Sequence, residues 1–203
     1  MPATQALLIA NVVVFLLQGG SGLPLVEWFA LWPPATPLFE PWQVVTYGFL
    51  HGSVMHIAFN MLALYTFGAS VERLFGTQFY LLYYFTCVVS AAIFHLIVTS
   101  LMGGTPYPTV GASGGIFGLL LAYGLYFPNQ RVMLLIPPIP MKARTFVIVF
   151  GALELLMGTL NFTGGGIAHF AHLGGMLGGY LMILYWRGRP PFGRSGGGPR
   201  RYH

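Results

Sequence analysis

The chain has 203 residues, of which 56% are hydrophobic and only 6% charged, against about 25% charged in an ordinary soluble domain. It contains no aspartate, and its four acids are Glu27, Glu40, Glu72 and Glu154. So little charge cannot cover a water-facing surface, which excludes a soluble enzyme and predicts an integral membrane protein of the all-α class. The net charge of +5 does not point to nucleic acid, because the basic residues are not interleaved with stacking aromatics. The one cysteine, Cys87, excludes an intramolecular disulfide.

Apolar runs near the ~20 residues that cross a bilayer, set off by Gly, Pro and charge, give six spans. The first covers 4–18. It follows an N-terminus with no charged leader and no small-residue cleavage site, so no removable signal peptide is expected. A loop rich in Trp, Pro and Phe leads to the second span, 51–70, and the third follows at 78–99. The fourth, fifth and sixth lie at 113–127, 145–160 and 168–186. Residues 1–186 thus form one membrane domain without internal repeats, and 187–203 form a basic, flexible tail.

Six spans place both termini and the second and fourth loops on one side. Those segments hold Arg73, Arg131, Lys142, Arg144, Arg187, Arg189, Arg194, Arg200 and Arg201, all nine Lys and Arg residues of the chain. Glu27 and Glu40 fall on the other side. The asymmetry predicts a multi-pass membrane protein with both termini cytoplasmic.

Spans two, four and six then start at the outer face. Ser113, in "TVGASGGIFG", opens span four. His172 is five residues into span six, roughly 7 Å deep at 1.5 Å per residue. His56 and Asn60 share one face in the first half of span two. "GASGG" matches the G-x-S-x-G hydrolase elbow, but the preceding "LMGGTPYP" is no strand and the chain has no aspartate. A soluble-hydrolase elbow is excluded, whereas a serine activated by histidine alone is not.

Ionisable groups inside membrane spans are usually functional, which favours chemistry for His172. His169, one turn earlier, is expected to bond or anchor a loop. His56 and Asn60 are candidate donors to an oxyanion. His51 is placed nearer the rim, bracing the first loop, and His95 is a solitary structural residue. A metal site at His56, His169 and His172 is not expected, since span six lacks H-E-x-x-H and no nearby carboxylate completes a ligand set; no cofactor is expected either. Glu154 is assigned a structural role: it stands about six residues from the outer end of span five, and no motif links it to Ser113. In "VERLFG", Glu72 and Arg73 tie the turn after span two. Gly114 and Gly118 on span four, with Gly174/Gly178 and Gly175/Gly179 on span six, form small-xxx-small pairs that bring Ser113 toward His172.

Together, "HGSVMHIAFNML", "VERLFG", "GASGGIFG" and "AHLGGMLGG" resemble, in order and spacing, the rhomboid family of intramembrane serine proteases in its bacterial six-helix form. The resemblance covers about Trp42 to Trp186. It implies a six-helix rhomboid-like bundle in which Ser113 is the nucleophile and His172 the general base of a dyad. It further implies an oxyanion hole formed by His56, Asn60 and the backbone amide of Ser113. Gly111 belongs to the serine motif, Phe117 matches an aromatic ring packed on the histidine, Gly175 and Gly179 match a close-packing face, and His51 matches a supporter of the first loop. One departure is that the loop's frequent Trp-Arg is Trp42-Gln43 here, which removes the arginine contact. The implied partners are single-span membrane protein substrates entering from the lipid bilayer, cut near its outer face; the sequence assigns no oligomeric state. Span five and its outer loop "NFTGGGIAH" are the expected moving part. The competing readings are a catalytically inactive rhomboid-like factor that binds client helices, and a transporter lined by His56, Asn60 and Glu154.

Overall fold

In lipid, every backbone N–H and C=O must find a partner within the chain, and apolar runs of this length meet that demand as helices. The computed structural model describes residues 1–102, 107–134, 138–160 and 166–188. Helix α1 is Pro2–Gly20, followed by the short α2 (Leu25–Phe29) and α3 (Gln43–Thr46) in the first loop. Helix α4 (Val54–Ala63) continues through a π-helical turn, Leu64–Gly68, into α5 (Ala69–Phe75). Then come α6 (Thr77–Met102), α7 (Ser113–Tyr126), α8 (Ala143–Leu160) and α9 (Gly166–Gly188). A small hairpin, β1 (Arg131–Met133) with β2 (Pro140–Lys142), sets Arg131 opposite Lys142 ahead of α8.

The helices differ from the hydropathy runs mainly at their ends. The second starts at Val54 rather than residue 51, because Ser53 caps it: the Ser53 hydroxyl accepts the His56 N–H at 3.1 Å. Gly76, at φ 77°, then takes the left-handed conformation that ends it. The sixth is lengthened to Gly166–Gly188. Among the described residues, Pro2–Gly20, Val54–Phe75, Thr77–Leu101 and Ala143–Leu160 are each long and apolar enough to cross a membrane, and Ser113–Tyr126 is a shorter apolar helix. The protein is an all-α, multi-pass membrane bundle.

Helix α9 packs mainly on α6 and α7, with α8 on its flank. Short α7 is central, burying Ile116, Leu119, Leu120, Ala122 and Tyr126. At the end remote from Ser113, Phe75 sits edge-on to Tyr83, Tyr126 and Trp186 with ring centroids 5.1–5.5 Å apart. Arg187 lies over the Tyr126 ring at 5.6 Å. Glu72, 2% exposed, accepts the backbone N–H groups of Ala3 and Thr4 (3.1 and 2.9 Å), the Thr4 hydroxyl (2.7 Å) and the Thr77 hydroxyl (3.0 Å). It therefore ties the turn, as the sequence suggests, and also caps the start of α1. Arg73 donates to Ser70 at 3.3 Å instead.

The "NFTGG" part of the expected moving loop, 161–165, and the tail from residue 189 lie outside the described residues.

Candidate active site

The approach to Ser113 is fixed by backbone pairing. Thr109 exchanges two backbone hydrogen bonds with Leu31, each 2.9 Å. The Thr109 hydroxyl meets His95 Nε2 at 2.7 Å, so His95 secures the segment before the serine rather than standing alone. Gly111 donates to the Tyr47 carbonyl at 3.0 Å with φ at 133°, a conformation other residues adopt only under strain. Two residues later Ser113 begins α7, where the first N–H groups of the helix have no partner within it.

Helix α9 reaches this point because glycine lines the crossing. A Cβ on Gly175 would strike the Gly114 carbonyl, and one on Gly118 would lie 3.2 Å from the Gly175 carbonyl. Gly174 and Gly178 face Phe94 and Ser90 of α6, and Gly179 faces Tyr83 and Cys87 of the same helix. The α7–α9 crossing is closest at Gly114 and Gly175, Gly118 lies between Cys87 of α6 and the Gly175 carbonyl, and the other glycines of α9 seat it on α6. At this crossing His172 Nε2 stands 2.7 Å from Ser113 Oγ. The Phe117 ring stacks on the imidazole, with centroids 4.4 Å apart and planes 6° from parallel.

The other face of His172 corrects the reading of Glu154. Its Oε2 lies 2.8 Å from His172 Nδ1 and 2.7 Å from His169 Nδ1. Counting depth reveals what the motifs conceal: Glu154 stands six residues before the end of α8 at Leu160, and His172 six after the start of α9 at Gly166. Facing antiparallel helices place those positions level, about 9 Å from the helix ends. The expectation that no carboxylate approaches these histidines is overturned by the same contacts. The three side chains could group around an ion by proximity, with ligand atoms within 4.8 Å of one another. The separations of 2.7 and 2.8 Å are hydrogen-bond lengths, shorter than the roughly 3.3 Å between donors at ~2.05 Å from a tetrahedral zinc.

An ionised carboxylate only accepts, so both histidines present Nδ1–H to Glu154. That leaves His172 Nε2 with the lone pair needed to receive the Ser113 proton. His172 and Glu154 side chains retain 20% and 13% exposure, so the trio is neither sealed nor open.

On the opposite side of the serine stands α4. His56 Nδ1 accepts the Gly52 N–H at 3.4 Å, which turns Nε2 into the N–H donor. That edge of the ring abuts Gly111: a Cβ there would lie 2.9 Å from His56 Cε1 and Nε2 and 3.6 Å from Ser113 Oγ. Asn60, one turn on, is 7% exposed, and its buried amide nitrogen has no hydrogen-bond partner among the described residues. Buried donors are normally paired, so Asn60 Nδ2 is a donor open to a group that the described residues do not supply.

Two loop residues act differently from expectation. The His51 ring packs edge-on against His56 at 5.0 Å, while its backbone is held by the Gln18 side chain through bonds of 3.0 and 3.2 Å. His51 therefore buttresses His56 and joins α1 to the start of α4. Gln43, fully buried, accepts from the Trp32 N–H and donates to the Leu38 and Trp28 carbonyls at 3.2, 2.8 and 3.3 Å. A neutral amide thus pins the first loop where an arginine was absent.

Comparison with known proteins identifies the family. Residues 38–189 match the family model of the rhomboid domain. The chain is 29% identical over 192 residues to the rhomboid protease GlpG of Photorhabdus laumondii, covering 94% of this chain and 63% of that protein. It is 34% identical over 142 residues to the rhomboid protease GluP of Bacillus subtilis, covering 70% of this chain and 25% of the relative. The mitochondrial rhomboid protein 1 of Saccharomyces cerevisiae is 29% identical over 144 residues, 70% of this chain and 41% of its own length. The chain thus spans less than two thirds of each of these relatives, and the family-model match over residues 38–189 includes Ser113 and His172. The chain belongs to the rhomboid family.

Proposed function

We propose that the protein is an intramembrane serine endopeptidase that cuts single-span membrane proteins near the outer face of the cytoplasmic membrane. The observation that carries this reading is the 2.7 Å approach of His172 Nε2 to Ser113 Oγ across a glycine-lined crossing. His172 takes the Ser113 proton as Oγ attacks the scissile carbonyl, and then gives it to the leaving amine. The oxyanion draws on Asn60, on His56 Nε2–H and on the Ser113 N–H at the start of α7. Water, entering from the end of the bundle where α7 begins, hydrolyses the acyl-enzyme and regenerates the serine.

The substrate must expose a peptide bond that helical hydrogen bonding conceals, so helix-weakening Gly or Pro near the cut favours cleavage. Orientation follows from the basic residues: Arg73, Arg131, Lys142, Arg144 and Arg187 belong to the end away from Ser113, and Lys/Arg excess marks the cytoplasmic side.

Labelling with a serine-reactive fluorophosphonate tests the proposal. The intact chain is expected to label, and Ser113→Ala and His172→Ala to lose labelling by at least about 10³-fold. A folded intact chain that takes no label supports instead the reading as an inactive factor that binds client helices.

A further inference from the structure

The resemblance to rhomboid proteases implies a two-residue apparatus. Three observations extend it in this chain. The Glu154 carboxylate is within hydrogen-bond reach of the His172 nitrogen that faces away from the serine, at 2.8 Å. The same oxygen is held by His169 at 2.7 Å, so the carboxylate is oriented from two sides. Phe117, stacked 4.4 Å from the imidazole, blocks the ring from swinging out of that line. Ser113, His172 and Glu154 stand in series on three different helices.

We infer that Glu154 is a positioning residue of the hydrolytic site, holding His172 in the Nδ1–H tautomer and stabilising the imidazolium that forms as Ser113 attacks. This rests on the protease reading above and adds a third member to the dyad. The proton moves only between Ser113 Oγ, His172 Nε2 and the leaving amine; Nδ1–H stays on His172, and Glu154 remains a carboxylate throughout. His169, bound to the same oxygen, keeps the carboxylate from turning away. Because Glu154 rides on α8, the series is complete only while α8 lies against α9.

The test uses the full chain in detergent with Glu154→Gln, which keeps the shape and removes the charge, and with Glu154→Ala. The fluorophosphonate labelling rate per folded molecule is expected to fall about 10²-fold in Glu154→Gln, less than the ~10⁴ seen when a deeply buried triad acid is neutralised. With a transmembrane substrate, kcat should fall by a similar factor while KM stays within about twofold, the signature of an interaction used in the chemical step. Proton NMR of histidine-labelled protein should give low-field Nδ1–H resonances from His172 and His169 that persist in Ser113→Ala; the His172 resonance alone disappears in His172→Ala, and both move upfield in Glu154→Gln.

Wild-type labelling rates in folded Glu154→Gln and Glu154→Ala would overturn the inference and leave the Ser113–His172 reading intact. Loss of rate that only tracks loss of the folded fraction in both variants assigns Glu154 to structure and also overturns it. An intact chain that neither labels nor cleaves removes the protease reading and this inference together.

Discussion

The two ends of the bundle treat their polar groups in opposite ways. At the end where α1 begins, Glu72 is buried and accepts four hydrogen bonds, two from backbone N–H groups whose positions are fixed by α1. Around it Phe75, Tyr83, Tyr126 and Trp186 fill space ring against ring. At the Ser113 end the acid is Glu154, partly exposed and bonded among the described residues to two imidazoles, and the buried Asn60 amide nitrogen has no partner among those residues. Satisfied polar groups stabilise a fold, whereas donors left open are tolerated where a reaction will complete them. Identical carboxylates thus lock one end and, on the inference above, position the histidine at the other.

Substitutions at the two ends should separate these roles. On the proposed mechanism Asn60→Ala removes an oxyanion donor, and kcat is expected to fall about 10²–10³-fold, the usual effect of deleting one such group. Its thermal stability should be unchanged or slightly raised, because no folded-state bond of that nitrogen is lost; a matching fall in stability would erase the contrast. Glu72→Gln should do the reverse. Loss of the charge at the start of α1 and of several charge-assisted bonds is expected to cost about 2 kcal/mol, read as a lower unfolding temperature, with labelling of Ser113 per folded molecule unaltered. His169→Ala is the mildest: one supporting bond to Glu154 is worth ~1 kcal/mol, so the labelling rate should fall about fivefold, less than in Glu154→Gln. Equal effects from the two would mean that His169 and Glu154 act as an inseparable pair.

Much of this was readable in the residues. Hydropathy runs locate the helices because a membrane imposes one length and one solution to backbone pairing, and local spelling locates Ser113, His172 and Phe117 because each stands within a glycine-rich motif. What escaped lies between elements. Glu154 has no motif, and its link to His172 depends on the relative height of two antiparallel helices, a quantity visible only by counting residues inward from both ends. The Glu72 bond to α1 joins residues 68 and 69 positions apart, with no periodicity to announce it. Gln43 was read as a missing arginine, since a substitution says what is lost and not which carbonyls the smaller amide will reach.

Helix α7 has 14 residues, about 21 Å of helix in a hydrocarbon layer of about 30 Å. Its neighbours, α6 and α9 above all, surround it, so the bilayer does not set its height. Lipids of different chain length press on the outer helices, tilting α1 or α8 to relieve mismatch. Ser113, mounted on a short post inside the ring, keeps its place relative to His172 because the Gly114–Gly175 backbone contact fixes it. If α8 tilts with bilayer thickness, the Glu154–His172 contact changes while the Gly114–Gly175 contact holds Ser113 in place, and labelling rates compared in short- and long-chain lipids read that coupling.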